Sequence, residues 1–173
     1  MKRALTSFGL VALTLAASVL TADMSLGEEK SYTSHHATNS GMRSAVIRYA
    51  QGKLGKQDGN GECWTLVDNA LRAAGADTSR DSKYDFGNRV SLRALRRGDL
   101  LQFEGVTFEH HNANGSWYSN SYPHHSAIVE SINGRTITIL NQNVNGNRTV
   151  QRSTINLDDL KGGTITAFEP KLK

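Results

Sequence analysis

Residues 59–67 read GNGECWTLV, and Cys63 within them is the only cysteine of the 173-residue chain. The residues after it decide the local structure. Leu66, Val67, Ala70, Leu71 and Ala74 follow a helical apolar period, and Gly75 stands where a helix C-cap belongs. The spacing predicts a helix over about 63–74 with the thiol in its first turn. Unpaired backbone N–H groups and the helix dipole stabilise negative charge at that end, so the position favours a thiolate nucleophile. Gly59 and Gly61, on either side of Asn60, would let a substrate approach the backbone closely. Upstream, Val46, Tyr49, Ala50 and Leu54 predict a first helix from Met42 to Leu54 with Ser40 as its cap, and GKQDGNGE forms the open loop between the two.

A lone thiol acquires meaning from its compartment. Lys2 and Arg3 precede an apolar run from Phe8 to Leu20 and then small residues, the layout of a secretory signal peptide ending near Ala22. The run falls short of the roughly 20 residues that span a bilayer, so no stable membrane insertion is expected after cleavage. The expected location is therefore secreted or periplasmic. Polar residues 23–39 carry no hydrophobic period and read as a flexible leader, and 40–173 as one domain. Exported domains use structural cysteines in pairs. An unpaired one is an intermolecular link, an inert buried residue or a reactive thiol. Without Lys2 and Arg3, the 20 basic residues fall to 18 against 16 acidic ones, a formal +2 that argues against nucleic acid as partner.

A thiolate nucleophile needs a base and a group that orients the base. RRGDLLQFEG reads as a turn and a strand from Asp99 to Glu104, with Asp99 closing the turn, followed by a loop of about twenty residues. The part of it from Glu109 to Tyr122 carries Trp117, Tyr118 and Tyr122, and reads as a substrate-facing lid. In HHSAIVESINGRTITILNQN, a strand from Ala127 to Ile132, the hairpin signal Asn133-Gly134 and a strand from Thr136 to Leu140 follow one another. His125 opens the first strand and Asn141 closes the second, which makes them neighbours in an antiparallel hairpin.

A Gly-x-Cys opening a helix, a Gly-Asp before a strand, a His before SAIV and a hairpin ending in NQN resemble the papain-like cysteine hydrolases of the NlpC/P60 superfamily, in particular its CHAP amidase/peptidase domains. GNGECWTL together with PHHSAIV is also similar to a cysteine-proteinase-fold domain of certain fungal cortical-actin proteins. The resemblance covers about Val46 to Phe168. It implies an α+β, papain-like fold with N-terminal helices packed on an antiparallel β-sheet. It further implies Cys63 as nucleophile, His125 as general base, and a peptide or cell-wall peptide substrate. CHAP domains carry Glu-x-Asn where this chain has Asn141-Gln142-Asn143, so either Asn141 or Asn143 is the orienting amide. An amide fixes the imidazole tautomer but does not stabilise imidazolium as a carboxylate does. Gln57 stands six residues before Cys63, the offset of the oxyanion glutamine of papain-type enzymes.

Two other function classes compete. The fold retained as a binding or adaptor module needs no reactive thiol. A His-based metallohydrolase would draw on His110, His111, His124 and His125, but adjacent histidines in a strand point to opposite faces and rarely ligate together. No metal and no cofactor is expected.

Overall fold

The computed structural model describes residues 26–173, with side chains from Asn39 onward; the expected signal peptide lies outside the described residues. Helix α1 spans Leu26–Gly52 and α2 spans Cys63–Ala73. The stripe of Leu66, Val67, Ala70 and Leu71 is buried as the sequence period demands. Each fully buried leucine contributes about 1.5–3 kcal/mol relative to exposure. At the far end Gly75 takes φ +77°, and the amide of Ala76 donates to Leu71 at 3.0 Å, which stops the helix where expected. Helix α1 starts well before the expected Met42, and Ser40 lies inside it. The apolar period marks only the buried stretch of Met42, Val46, Ile47 and Ala50; no proline interrupts residues 26–41, and elongating a helix costs little once its nucleus exists.

Six strands form one antiparallel sheet: β1 (Asn88–Val90), β2 (Leu100–His111), β3 (Trp117–Asn133), β4 (Thr136–Asn141), β5 (Gln151–Asn156) and β6 (Leu160–Glu169), in the order β1-β6-β2-β3-β4-β5. Two helices on an antiparallel sheet make the fold α+β, consistent with a papain-like arrangement. The Asn133↔Thr136 pair closes the predicted β3–β4 hairpin around Gly134 and Arg135.

The long loop and lid expected after Glu104 are instead the distal half of a β2–β3 hairpin, paired from Val106↔Tyr122 out to His111↔Trp117. Its inward residues Val106, Phe108 and Tyr122 are buried, and that burial outweighs the loop-like composition of its Asn- and Ser-rich outer positions. The hairpin bends between Glu104 and Val106, where Gly105 has φ +59° and Pro123 lies across from it.

The strands' alternation sorts the interior into two layers. Leu100, Ile128, Leu140 and Phe168 pack under both helices. Leu101, Phe103, Phe108, Tyr122, Val129 and Ile139 form a second core on the opposite face, where the bent sheet closes over itself. Arg43 pins α1 to the sheet through Asp99 (2.7 Å) and Glu169 (2.8 Å). Asp99 also accepts the Arg96 amide at 2.7 Å, the turn-closing role expected of it. A Cβ on Gly98 would stand 2.5 Å from Arg43 Cβ, so the helix approaches this turn only because residue 98 is glycine.

Candidate active site

Cys63 is the first residue of α2 and is 6% exposed. Glu62 before it is extended and makes no side-chain cap, which leaves the first-turn amides of α2 without a side-chain acceptor from that residue. The loop leading to the thiol is instead held by Asp58, whose carboxylate takes Tyr49 Oη at 3.0 Å, Lys53 Nζ at 3.0 Å and Asn69 Nδ2 at 2.9 Å. Fully buried Gln142 accepts the Asp58 amide at 3.1 Å and donates to the carbonyls of Asp58 (3.0 Å) and Glu62 (2.8 Å). It ties the end of β4 to the residue before Cys63. Neither Asp58 nor Gln142 carries a pattern that singles it out in the sequence, beyond the position of Gln142 inside NQN.

Asn143 adopts φ +61° and donates through Nδ2 to Glu62 Oε2 at 2.9 Å. Arg148 reaches the same carboxylate at 3.2 Å and the Asn60 carbonyl at 3.1 Å. Gln57 bridges Thr149, and its side-chain amide donates to the Gly59 carbonyl at 3.2 Å. It stands beside the loop before Cys63: a Cβ on Gly61, which has φ +80°, would meet Gln57 Cδ at 3.0 Å and Arg148 Cβ at 2.9 Å. The glycine that was expected to admit a substrate gives its space to these two side chains.

His125 does not open a strand, because β3 runs through it from Trp117; it follows the bend at Pro123. Its ring lies 5.2 Å from that of Tyr122 and 6.2 Å from that of Phe103, on the face of the second core. Burial, joined by the neighbouring charge of His124, lowers its pKa to about 4. Nε2 of His125 has no hydrogen-bond partner. Asn141 alternates with Ile139 onto the same face, is fully buried, and has an unpartnered Nδ2; its Oδ1 accepts Ser153 Oγ at 3.4 Å. The hairpin thus sets His125 and Asn141 on one face of neighbouring strands, while Asn143 is committed to Glu62. Helix α2 packs on the other face of β3, over Ile128.

His124 points to the helix side. Its Nδ1 lies 2.7 Å from Glu104 Oε2, and its ring meets Tyr84 edge-on at 4.1 Å. Burial pushes the Glu104 carboxyl up, but hydrogen bonds from His124 and Gln102 outweigh it and hold the group below its ordinary value. Gln102 also accepts Ser126 Oγ at 2.6 Å. A cleft of about 260 Å³ adjoins this row, between Tyr84, Arg89, Gln102, Glu104 and Thr166. Trp64, next to the thiol, packs against the first core with Lys83 Nζ 4.1 Å from its ring centre.

A cysteine heading a helix laid on an antiparallel sheet, with a histidine and an amide on the adjoining hairpin, belongs to the class of cysteine-proteinase α+β folds. Residues 36–171 match the family described as the AIM3/BBC1 cysteine proteinase-fold domain, and the chain belongs to that family. It is 29% identical over 143 residues to "Altered inheritance of mitochondria protein 3" of Debaryomyces hansenii, covering 72% of this chain and 15% of that protein. Among solved structures it resembles "The crystal structure of Ly7917 with the hydrolyzing product of MDP", at 17% identity and TM-score 0.50 over 74% of this chain and 62% of that one. A second Ly7917 structure aligns at 16% identity and TM-score 0.49. Likeness at that identity shows the fold alone, and the chain spans less than two thirds of the length of each of these proteins.

Proposed function

We propose that the chain is an exported cysteine hydrolase of the CHAP type within the NlpC/P60 superfamily, acting on amide bonds of peptides or cell-wall peptides. The observation that carries this reading is a pair of buried, unpartnered polar atoms, His125 Nε2 and Asn141 Nδ2, on one face of adjoining strands whose other face carries the helix headed by the only thiol. Buried polar groups left unpaired in a folded chain call for a functional explanation. In this reading the Asn141 amide, turned by half and drawn within reach of Nε2–H, fixes the tautomer and frees Nδ1 as the base. With its pKa near 4 the imidazole is neutral at physiological pH, the form a base requires.

In the proposed reaction Cys63 Sγ attacks the amide carbon as its proton passes to His125. The tetrahedral oxyanion is met by the Cys63 backbone N–H and, once it leaves Gly59, by the Gln57 amide. The C–N bond then breaks, His125 returns the proton to the amine, and water, deprotonated by His125, hydrolyses the thioester. Export rests on the N-terminal Lys2, Arg3 and apolar run.

A second reading, the fold kept as a binding or adaptor module, is favoured by the Gln57 amide being spent on Gly59 and by the relative whose name concerns mitochondrial inheritance. Incubating the purified chain with a peptide mixture and with peptidoglycan, alongside Cys63→Ala, separates the two. New amine termini from the wild type and none from the variant support the hydrolase; identical product from both, or none from either, supports the module.

A further inference from the structure

We propose a second binding site, for a neutral oligosaccharide, at the mouth formed where the distal β2–β3 hairpin folds over the ends of β4 and β5. This end of the second core holds a cavity of about 200 Å³. It opens on the face of the sheet opposite to that on which α2 packs, and none of the residues assigned to the hydrolase lines it. Mouths of rolled sheets are recurrent ligand positions.

The lining specifies the chemistry. Tyr118 offers a ring face, 53% exposed, at the rim. Asn120, Thr154 and Asn156 offer amide and hydroxyl groups, donors and acceptors both. His110 and Asp159 of the lining are hydrogen-bonded to each other at 2.9 Å, so each is already engaged. A polyhydroxylated ring finds hydrogen bonds at its edge from the amides and hydroxyl and an aromatic surface for its C–H face. The volume lies below the roughly 300–1,000 Å³ of drug-sized sites, so it accepts one ring of a chain.

The probes are chitohexaose and cellohexaose, titrated into the intact chain while amide chemical shifts are followed. Binding of at least one, in the millimolar range or tighter, is expected, with shifts at Tyr118, Asn120 and Asn156. Tyr118→Ala should weaken it about tenfold or more, a loss of about 1.4 kcal/mol. Asn120→Ala, at an exposed lining position, should weaken it as well, and Cys63→Ala should leave it unaltered. The proposal is overturned if neither sugar binds at about 10 mM, or if binding is indifferent to both mouth variants. Because Cys63 plays no part, failure here leaves the hydrolase reading standing, and failure of the hydrolase reading leaves this one standing.

Discussion

His124 and His125 are consecutive residues of one strand, yet they occupy opposite electrostatic worlds. His124 is half-exposed on the helix side, hydrogen-bonded to Glu104 and edge-on to Tyr84. His125 is 4% exposed on the other side, between Tyr122 and Phe103, with Nε2 unsatisfied. The same contrast recurs on β4 and just beyond it, where Asn141 turns to the second core with an idle amide and Gln142 turns to the helices with both ends occupied. Alternation along a strand thus divides labour between residues that hold the thiol's loop in place and residues left free to act.

The largest effect should come from the residue this division serves. Cys63→Ala should remove at least about 10³-fold of any amide hydrolysis while leaving the unfolding midpoint close to that of the wild type. A variant that keeps its activity would detach the chemistry from α2 altogether.

Acid should expose the burial of His125 next. The folded pKa of His125 is about 4, below the ordinary 6.5, so between those values the unfolded chain takes up a proton that the folded chain refuses. Its contribution to stability is complete above pH 6.5, falls by on the order of 3 kcal/mol as the pH drops to about 4, and then levels off. Urea denaturation across that range should show this loss in the wild type and its disappearance in His125→Phe.

On β4 and the segment after it the comparison is one of stability against catalysis. Gln142→Ala strands two backbone carbonyls and an amide at the loop before Cys63 and should cost about 2–3 kcal/mol by urea denaturation. Asn141→Ala removes only the long contact from Ser153, so its stability should change by less than about 1 kcal/mol while turnover falls. Equal destabilisation by the two would erase the proposed division. Smallest of all, His124→Ala breaks a surface pair and should shift stability by no more than about 1 kcal/mol.

How far this division could be read from the chain depends on the kind of signal. The α2 period with Gly75 and Asp99 before its strand are local patterns that the structure forms where the residues imply, and the Asn133-Gly134 signal does mark the β3–β4 turn, one residue before the Gly134-Arg135 pair that makes it. The distal hairpin escaped because its outer positions are Asn, Ser and His; only the buried line of Val106, Phe108 and Tyr122 marks it, and the bend at Gly105 breaks that line's register with Phe103. The start of α1 escaped because residues 26–41 carry no apolar period to mark it. At the candidate site, Cys63, His125 and Asn141 were legible as residue types in order. Which of Asn141 and Asn143 keeps an unpartnered amide was not, since that rests on the bond from Asn143 to Glu62 across 81 residues of sequence. Gln142 and Asp58 were invisible for the same reason: their partners are backbone groups brought together only by folding.

The central claim is that His125 serves the thiol of Cys63, and alkylation by iodoacetamide tests it without knowledge of the substrate. Labelling of Cys63 should be timed by mass spectrometry between pH 5 and 9 in the wild type, His125→Ala and His124→Ala. The account predicts that His125→Ala slows labelling at pH 7 by about tenfold or more, the scale of general-base assistance lost, while His124→Ala matches the wild type. Superimposable rates for the wild type and His125→Ala across the whole range would contradict it.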